Sequence, residues 1–289
     1  MKNLLPYFSQ NPLDRLDQVR RDTKLFEELK SAKSAQYLLF DKKNILFDQE
    51  EKKYFFSNKG LDTKHAILLG RENNIDYFAL DIGNAKNLDS LGLREFTNNS
   101  YVPEEKLGII AQASAVLNWH SDHQHCSFCG SPTRMKHAGW RRDCSTCKRQ
   151  LFPRIDPVVI MLVTHGDYCL IGRGVNFQQN RYSCLAGYME SGESIEDASR
   201  RELFEEAGVV GLEVEYKMSQ PWPFPSTLMI GTHVKAKSKE LNIDTHEIED
   251  AKWVHKNDIR AILNGDESFG FSLPTKIAIA RNLLENWVS

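Results

Sequence analysis

No run of 18 apolar residues occurs in the 289-residue chain, and its opening stretch has no extended apolar signal core. The sequence therefore offers neither a membrane-spanning helix nor a secretory leader. Charge of one sign is missing too: 37 basic against 39 acidic residues leave −2 at neutral pH. That balance gives the chain as a whole no strong pull toward nucleic acid or membrane. The closing residues lack the tripeptide address read by peroxisomes. A cytoplasmic protein with no membrane partner is the expectation. Internal repeats and low-complexity linkers are also absent. What remains, 41% hydrophobic and 26% charged residues, is ordinary globular composition and argues against disorder. The length suits two or three compact units.

Cysteine is scarce but concentrated. Four of six fall within 22 residues, as Cys126 and Cys129 followed after 14 residues by Cys144 and Cys147. Without an export signal, two such pairs read as a metal site rather than disulfides. Four thiolates close a tetrahedral structural zinc site, one per chain, when a short hairpin brings the pairs together. Unmetallated thiol pairs are the alternative, disfavoured because so small a segment has too little core to fold without a staple. The nearby His120, His123 and His125 are read as surface or capping residues, since four cysteines fill the shell. Around the pairs stand seven cations (Arg134, Lys136, Arg141, Arg142, Lys148, Arg149, Arg154) and one acid, Asp143. Such a knob suits a polyanion; a solvated face or a subunit contact explains it equally well. Cys169 and Cys184 sit in apolar stretches and read as buried thiols.

Asn11 and Pro12 are expected to open a helix. Short strand-like runs follow (AQYLLF, NILF, KYFF, HAILLG, DYFALDI), giving residues 1–102 the pattern of a small α+β domain. A helix from Pro103 to about Trp119 connects, within 103–125, to the cysteine segment, 126–152. From 153 to 289 strands alternate with helices as in one α/β unit. PVVIMLV suits a strand buried on both faces, and a last helix is expected from Leu273 and Pro274 to about Trp287.

The stretch RELFEE, residues 201–206, carries the chemistry. Ser194 can cap a helix, Asp197 holds the capping-box position and Gly208 can end it. At about 100° per residue from Ile195, Glu205, Glu202 and Glu206 fall at about 280°, 340° and 20°. Ala198 at about 300° and Leu203 at about 80° put the glutamates on the side facing the body. Inward carboxylates at that spacing need a counter-charge. Hard divalent cations, Mg2+ or Mn2+, are the natural one, and such ions act on phosphate substrates. Arg201 can orient Glu205, four residues on.

Residues 187–209 resemble the Nudix box, G-x5-E-x7-R-E-U-x-E-E-x-G-U, through Gly187, Glu193, Arg201, Glu202, Leu203, Glu205, Glu206, Gly208 and Val209. SQPWPFP, residues 219–225, is similar to the signature of the NADH pyrophosphatase branch, which also carries a four-cysteine ribbon and an N-terminal domain. The resemblance implies a Nudix α/β/α sandwich with a mixed sheet. It implies hydrolysis of the pyrophosphate of NADH or NAD+ to AMP and NMN(H), with Glu202, Glu205, Glu206 and Glu247 holding Mg2+ or Mn2+. Arg201 and Glu193 join the catalytic set. It implies substrate-binding roles for Tyr188, stacking on the nicotinamide, and for Gln220, Trp222, Phe224, Thr227 and Met229. Thr227 stands where the family usually has serine. Phe152 occupies the place of an aromatic offered to a partner's site, which implies a homodimer. NAD-capped RNA is the alternative substrate. A zinc-ribbon nucleic-acid-binding regulator with a Nudix sensor is a reading of another class.

Overall fold

The computed structural model describes residues 5–83, 85 and 87–289. The chain divides into two compact units. The first comprises Gln10–Ile155 with Trp222–Ser226; the second comprises residues 5–9, Asp156–Pro221 and Thr227–Ser289.

In the first unit, α1 (Asp17–Arg21) and α2 (Thr23–Ser31) precede β1 (Gln36–Asp41), β2 (Asn44–Phe47), β3 (Ile67–Glu72), β4 (Ile75–Asp81) and β5 (Asp89–Gly92). The strands form one sheet of order β3-β4-β1-β2-β5, with β1 parallel to β4. Its core joins Tyr37, Leu39, Leu46, Leu68, Phe78 and Leu80 to Phe26 of α2. KYFF makes only isolated bridges, Lys53 to Asp48 and Phe56 to Tyr37. The helix expected at Asn11 is absent. Asn11 Nδ2 donates to Gly108 O and Gln112 Oε1, its Oδ1 accepts from Leu13 N–H, and Asp14 bridges Arg71. These contacts pin the segment extended until α1. Beyond α3 (Leu93–Asn98), α4 (Leu107–Asp122) leads to a small sheet of β6 (Thr133–Lys136), β7 (Arg141–Cys144) and β8 (Gln150–Leu151).

The second unit is built on β9 (Asp156–His165), the PVVIMLV strand. With β10 (Tyr168–Gly174), β11 (Leu185–Tyr188), α5 (Ile195–Ala207), β12 (Gly211–Trp222), β13 (Thr227–Ala236), β14 (Ile248–His255), α6 (Lys256–Leu263) and α7 (Ile279–Val288) it completes the chain. The sheet order is β12-β13-β9-β10-β14, with β11 beside β9. It is mixed: β13 runs parallel to β9, while β10 and β11 run antiparallel to it. Side chains of β9 alternate between two cores. Ile160 and Leu162 meet Ile279, Leu283 and Leu284 of α7, whereas Met161 and Val163 meet Leu203 and Ala207 of α5. Burying each such aliphatic side chain contributes about 1.5–3 kcal/mol. Helices on both faces of a mixed sheet make the α/β/α sandwich, and they explain why β9 is apolar throughout.

One sequence expectation needs correction here: the last helix starts at Ile279, not at Leu273. Within SQPWPFP, β12 runs through Ser219, Gln220 and Pro221 to Trp222. A proline fits there because β12 is an edge strand, where a missing N–H costs no ladder bond. Among the described residues no helix is long and apolar enough to cross a membrane.

Candidate active site

The acidic helix is bounded as its sequence requires. Ser194 Oγ accepts from Asp197 N–H, and Gly208 closes the helix at φ 69°, a left-handed conformation that glycine adopts without penalty. A Cβ on Gly208 would also lie 2.7 Å from that of Asn242. That close approach matters. Asn242 N–H donates to Ala207 O and Asp244 N–H to Glu206 O, so the loop satisfies carbonyls that the helix end leaves orphaned. The same loop then delivers Glu247 to the helix.

Glu202 and Glu206 are buried, as their helical phase implies. Glu205 is not: its side chain is more than half exposed and reaches Arg201. Two carboxylates therefore point inward, and the third turns along the surface. Glu202 lies over Gly187 of β11, where an added Cβ would fall 1.9 Å from its carboxyl carbon. The backbone of the adjacent Ala186 favours the charged form of Glu206. Burial, then the charges of Glu202 and Glu247, raise the Glu206 carboxyl to about 8. Burial raises Glu202 as well, against the opposing pull of Arg201. Glu206 Oε2 is buried with no hydrogen-bond partner.

Arg201 organises the rim. Its Nε donates to Glu193 Oε1 at 2.5 Å, and its two terminal nitrogens reach Glu193 Oε2 (2.9 Å), Glu202 Oε1 (2.9 Å), Glu205 Oε2 (2.8 Å) and Tyr188 O (2.9 Å). This rigid fork suits guanidinium and not a lysine ammonium. Hydrogen bonds from Arg201 and from the Glu190 backbone hold Glu193 down at about 2. Glu193 is thus a fixed anion that anchors Arg201.

The donor set is all oxygen, it carries an orphaned buried carboxylate atom, and burial raises two of its carboxyls, Glu202 and Glu206. These features fit a hard divalent cation held by Glu202, Glu206 and Glu247. The carboxylates are not drawn as close as the thiols: among the described residues, only Cys126, Cys129, Cys144 and Cys147 gather within 4.8 Å of one another. Their sulfurs stand 3.7 Å (Cys126 to Cys147) and 3.4 Å (Cys129 to Cys144) apart. A tetrahedral zinc with bonds of about 2.3 Å needs about 3.8 Å, so the cluster fits. Hydrogen bonding from Ser131 lowers the Cys129 thiol to about 6, favouring the thiolate a metal binds.

Residues 153–270 match the NUDIX domain. This stretch of the chain is a Nudix domain. Residues 121–152 match the NADH pyrophosphatase zinc ribbon domain, and residues 26–119 the NADH pyrophosphatase-like rudimentary NUDIX domain. The NAD-capped RNA hydrolase NUDT12 of Homo sapiens is 42% identical over 195 residues, covering 64% of this chain and 42% of that protein. The NAD-capped RNA hydrolase NudC of Mycobacterium bovis is 39% identical over 188 residues, covering 63% and 60%. The mitochondrial NAD(P)H pyrophosphatase NUDT13 of Homo sapiens is 38% identical over 193 residues, covering 62% and 54%. The chain spans about half the length of the curated relatives it matches.

Beside this Nudix centre, Tyr188 ends β11 with its ring 62% exposed, one residue beyond Gly187. Thr227 is buried at the start of β13, and Met229 packs partly buried against the α7 core. Gln220 requires correction as a ligand contact. It is fully buried; its amide nitrogen donates to Tyr7 O and Ile277 O, and its oxygen accepts from Ile279 N–H. Gln220 therefore fastens the start of α7 and has no polar hydrogen left for a dinucleotide. Trp222 and Phe224 meet edge to face at 4.9 Å, with the Arg94 guanidinium 5.4 and 4.8 Å from their rings. They group with the first unit. Phe152 is 59% exposed. His120 is not a surface residue: its Nε2 lies 2.7 Å from Gly139 O and its Nδ1 2.8 Å from Arg142. Sequence reasoning missed what Gly187 does. The signal was present in the fixed glycine, but its role depends on the helix lying across the strand.

Proposed function

We propose that this chain hydrolyses the pyrophosphate bond of NAD(H), giving AMP and NMN(H), with catalytic Mg2+ or Mn2+ and a structural zinc. The observation that carries the reading is the buried Glu206, with an orphaned oxygen beside Glu202 and Glu247. A divalent ion bound there would neutralise phosphate charge and orient water for attack. Arg201 keeps Glu202 and Glu205 aimed, and Glu193 keeps Arg201 aimed. Tyr188 offers an exposed ring for stacking on nicotinamide, with Thr227 and Met229 on β13, across β9 from it. A homodimer is part of the proposal, supported by the exposed Phe152. The test is chromatography of products from NADH with and without added Mg2+ or Mn2+. AMP and NMNH formed only with metal support the reading; an intact dinucleotide under both conditions sinks it.

NAD-capped RNA is the second substrate reading, favoured by the names of two relatives and by the local positive charge of the ribbon. The regulator reading has less support, because a sensor does not require Glu202, Glu205 and Glu206 together.

A further inference from the structure

The cysteine ribbon carries one feature that zinc binding does not use. Between the first two cysteines Phe128 projects with 65% of its surface exposed, and the Arg149 guanidinium stacks 3.7 Å from its ring centroid. An aromatic that large, exposed on so small a module, contributes nothing to its own core. Not all seven cations of the segment are available. Arg141 pairs with Asp143, and Arg142 turns inward to Thr133 and His120. Arg134, Lys136, Lys148 and Arg149 remain exposed. Arg134 and Lys136 lie two apart on β6, so their side chains share one face of the ribbon sheet.

A flat π surface capped by guanidinium, on a ribbon that also exposes cations, matches the two demands of single-stranded nucleic acid. Bases stack on aromatic and guanidinium planes, and phosphates follow positive charge. An acidic protein would use the charges but leave the ring without a partner. We infer that the Phe128–Arg149 step, with Arg134 and Lys136, is a contact for the body of a single-stranded RNA. This rests on the capped-RNA reading for its biological setting, but its test does not depend on turnover.

The zinc-loaded 289-residue chain is titrated into a fluorescent, uncapped single-stranded oligoribonucleotide across a salt series, by anisotropy. Phe128→Ala is expected to weaken binding by about tenfold, the order seen when one stacking residue is lost. Arg134→Gln with Lys136→Gln should lower the slope of log affinity against log salt by about 1.4, for two lost phosphate contacts on a single strand. The second variant leaves the cysteine turns untouched, so the inference stays testable if Phe128→Ala misfolds. In both, hydrolysis of free NADH should match wild type. Unchanged affinity and slope in both variants overturn the inference. Unchanged RNA affinity with weakened self-association of Phe128→Ala, by sedimentation, also overturns it and assigns the face to a second copy. A chain that binds RNA in this manner yet never cleaves NADH leaves the inference standing and fails only the hydrolytic reading.

Discussion

Replacing Glu206 by Gln should stabilise the metal-free protein while destroying turnover. In the folded state this carboxyl titrates at about 8, against an ordinary 4.5, chiefly because it is buried. Each unit of that difference is worth about 1.4 kcal/mol. The folded carboxyl keeps its proton where the unfolded one has lost it, so folding takes up a proton between these limits. Wild-type stability therefore falls as pH rises from about 4.5 to about 8, by on the order of 4 kcal/mol. The variant, with nothing to ionise, escapes this loss. The assay is calorimetric melting of protein that retains its zinc but has no added Mg2+ or Mn2+. Near pH 4.5 the two should melt together. At about pH 8.5 the variant's second unit should melt about 10 °C higher, at about 2–4 °C per kcal/mol. Adding Mn2+ at about a hundred times its dissociation constant should return about 2.7 kcal/mol to wild type and almost none to the variant. Turnover should drop by about 10³-fold. If the variant melts at or below wild type at high pH without metal, Glu206 is not held at a cost and the metal assignment loses its basis.

Gly187→Ala should keep the fold, because the atoms nearest the added Cβ belong to the side-chain end of Glu202 and not to backbone. It should nevertheless lower kcat by about 10²-fold or more through displacement of that carboxylate; near wild-type kcat would refute the floor role. Gln220→Ala strands Tyr7 O, Ile277 O and Ile279 N–H, so denaturant melts should show a loss of about 2–4 kcal/mol. The same variant should change kcat/KM for NADH and ADP-ribose by one common factor, and a loss specific to NADH would restore Gln220 as a selector. Elemental analysis should find about one zinc per chain, and Cys144→Ser should lower its retention; full titration of all four thiols in untreated protein would contradict the closed site.

Where the determinants are local, the sequence alone settled the outcome. The span of the acidic helix follows from Ser194, Asp197 and Gly208, because capping needs only residues within one turn. The cysteine cluster follows from two short spacings. The apolar run of β9 foretold burial on both faces, since period-two burial on each side leaves no polar position. The box that carries Arg201, Glu202 and Glu206 was legible for the same reason. Tertiary contacts decided the rest. Glu205 has a helical phase close to that of Ala198, yet Arg201, fixed by Glu193, draws it to the surface. Asn11 has the chemistry of a helix cap and is spent instead on Gly108 and Gln112, almost a hundred residues away. Gln220 carries hydrogen-bonding groups suited to a ligand, and only the packing of β12 against the start of α7 turns them inward. In each case a polar side chain has several partners of nearly equal worth. The fold chooses by burying it beside one of them, where leaving a donor or acceptor unpaired costs more than any local preference contributes.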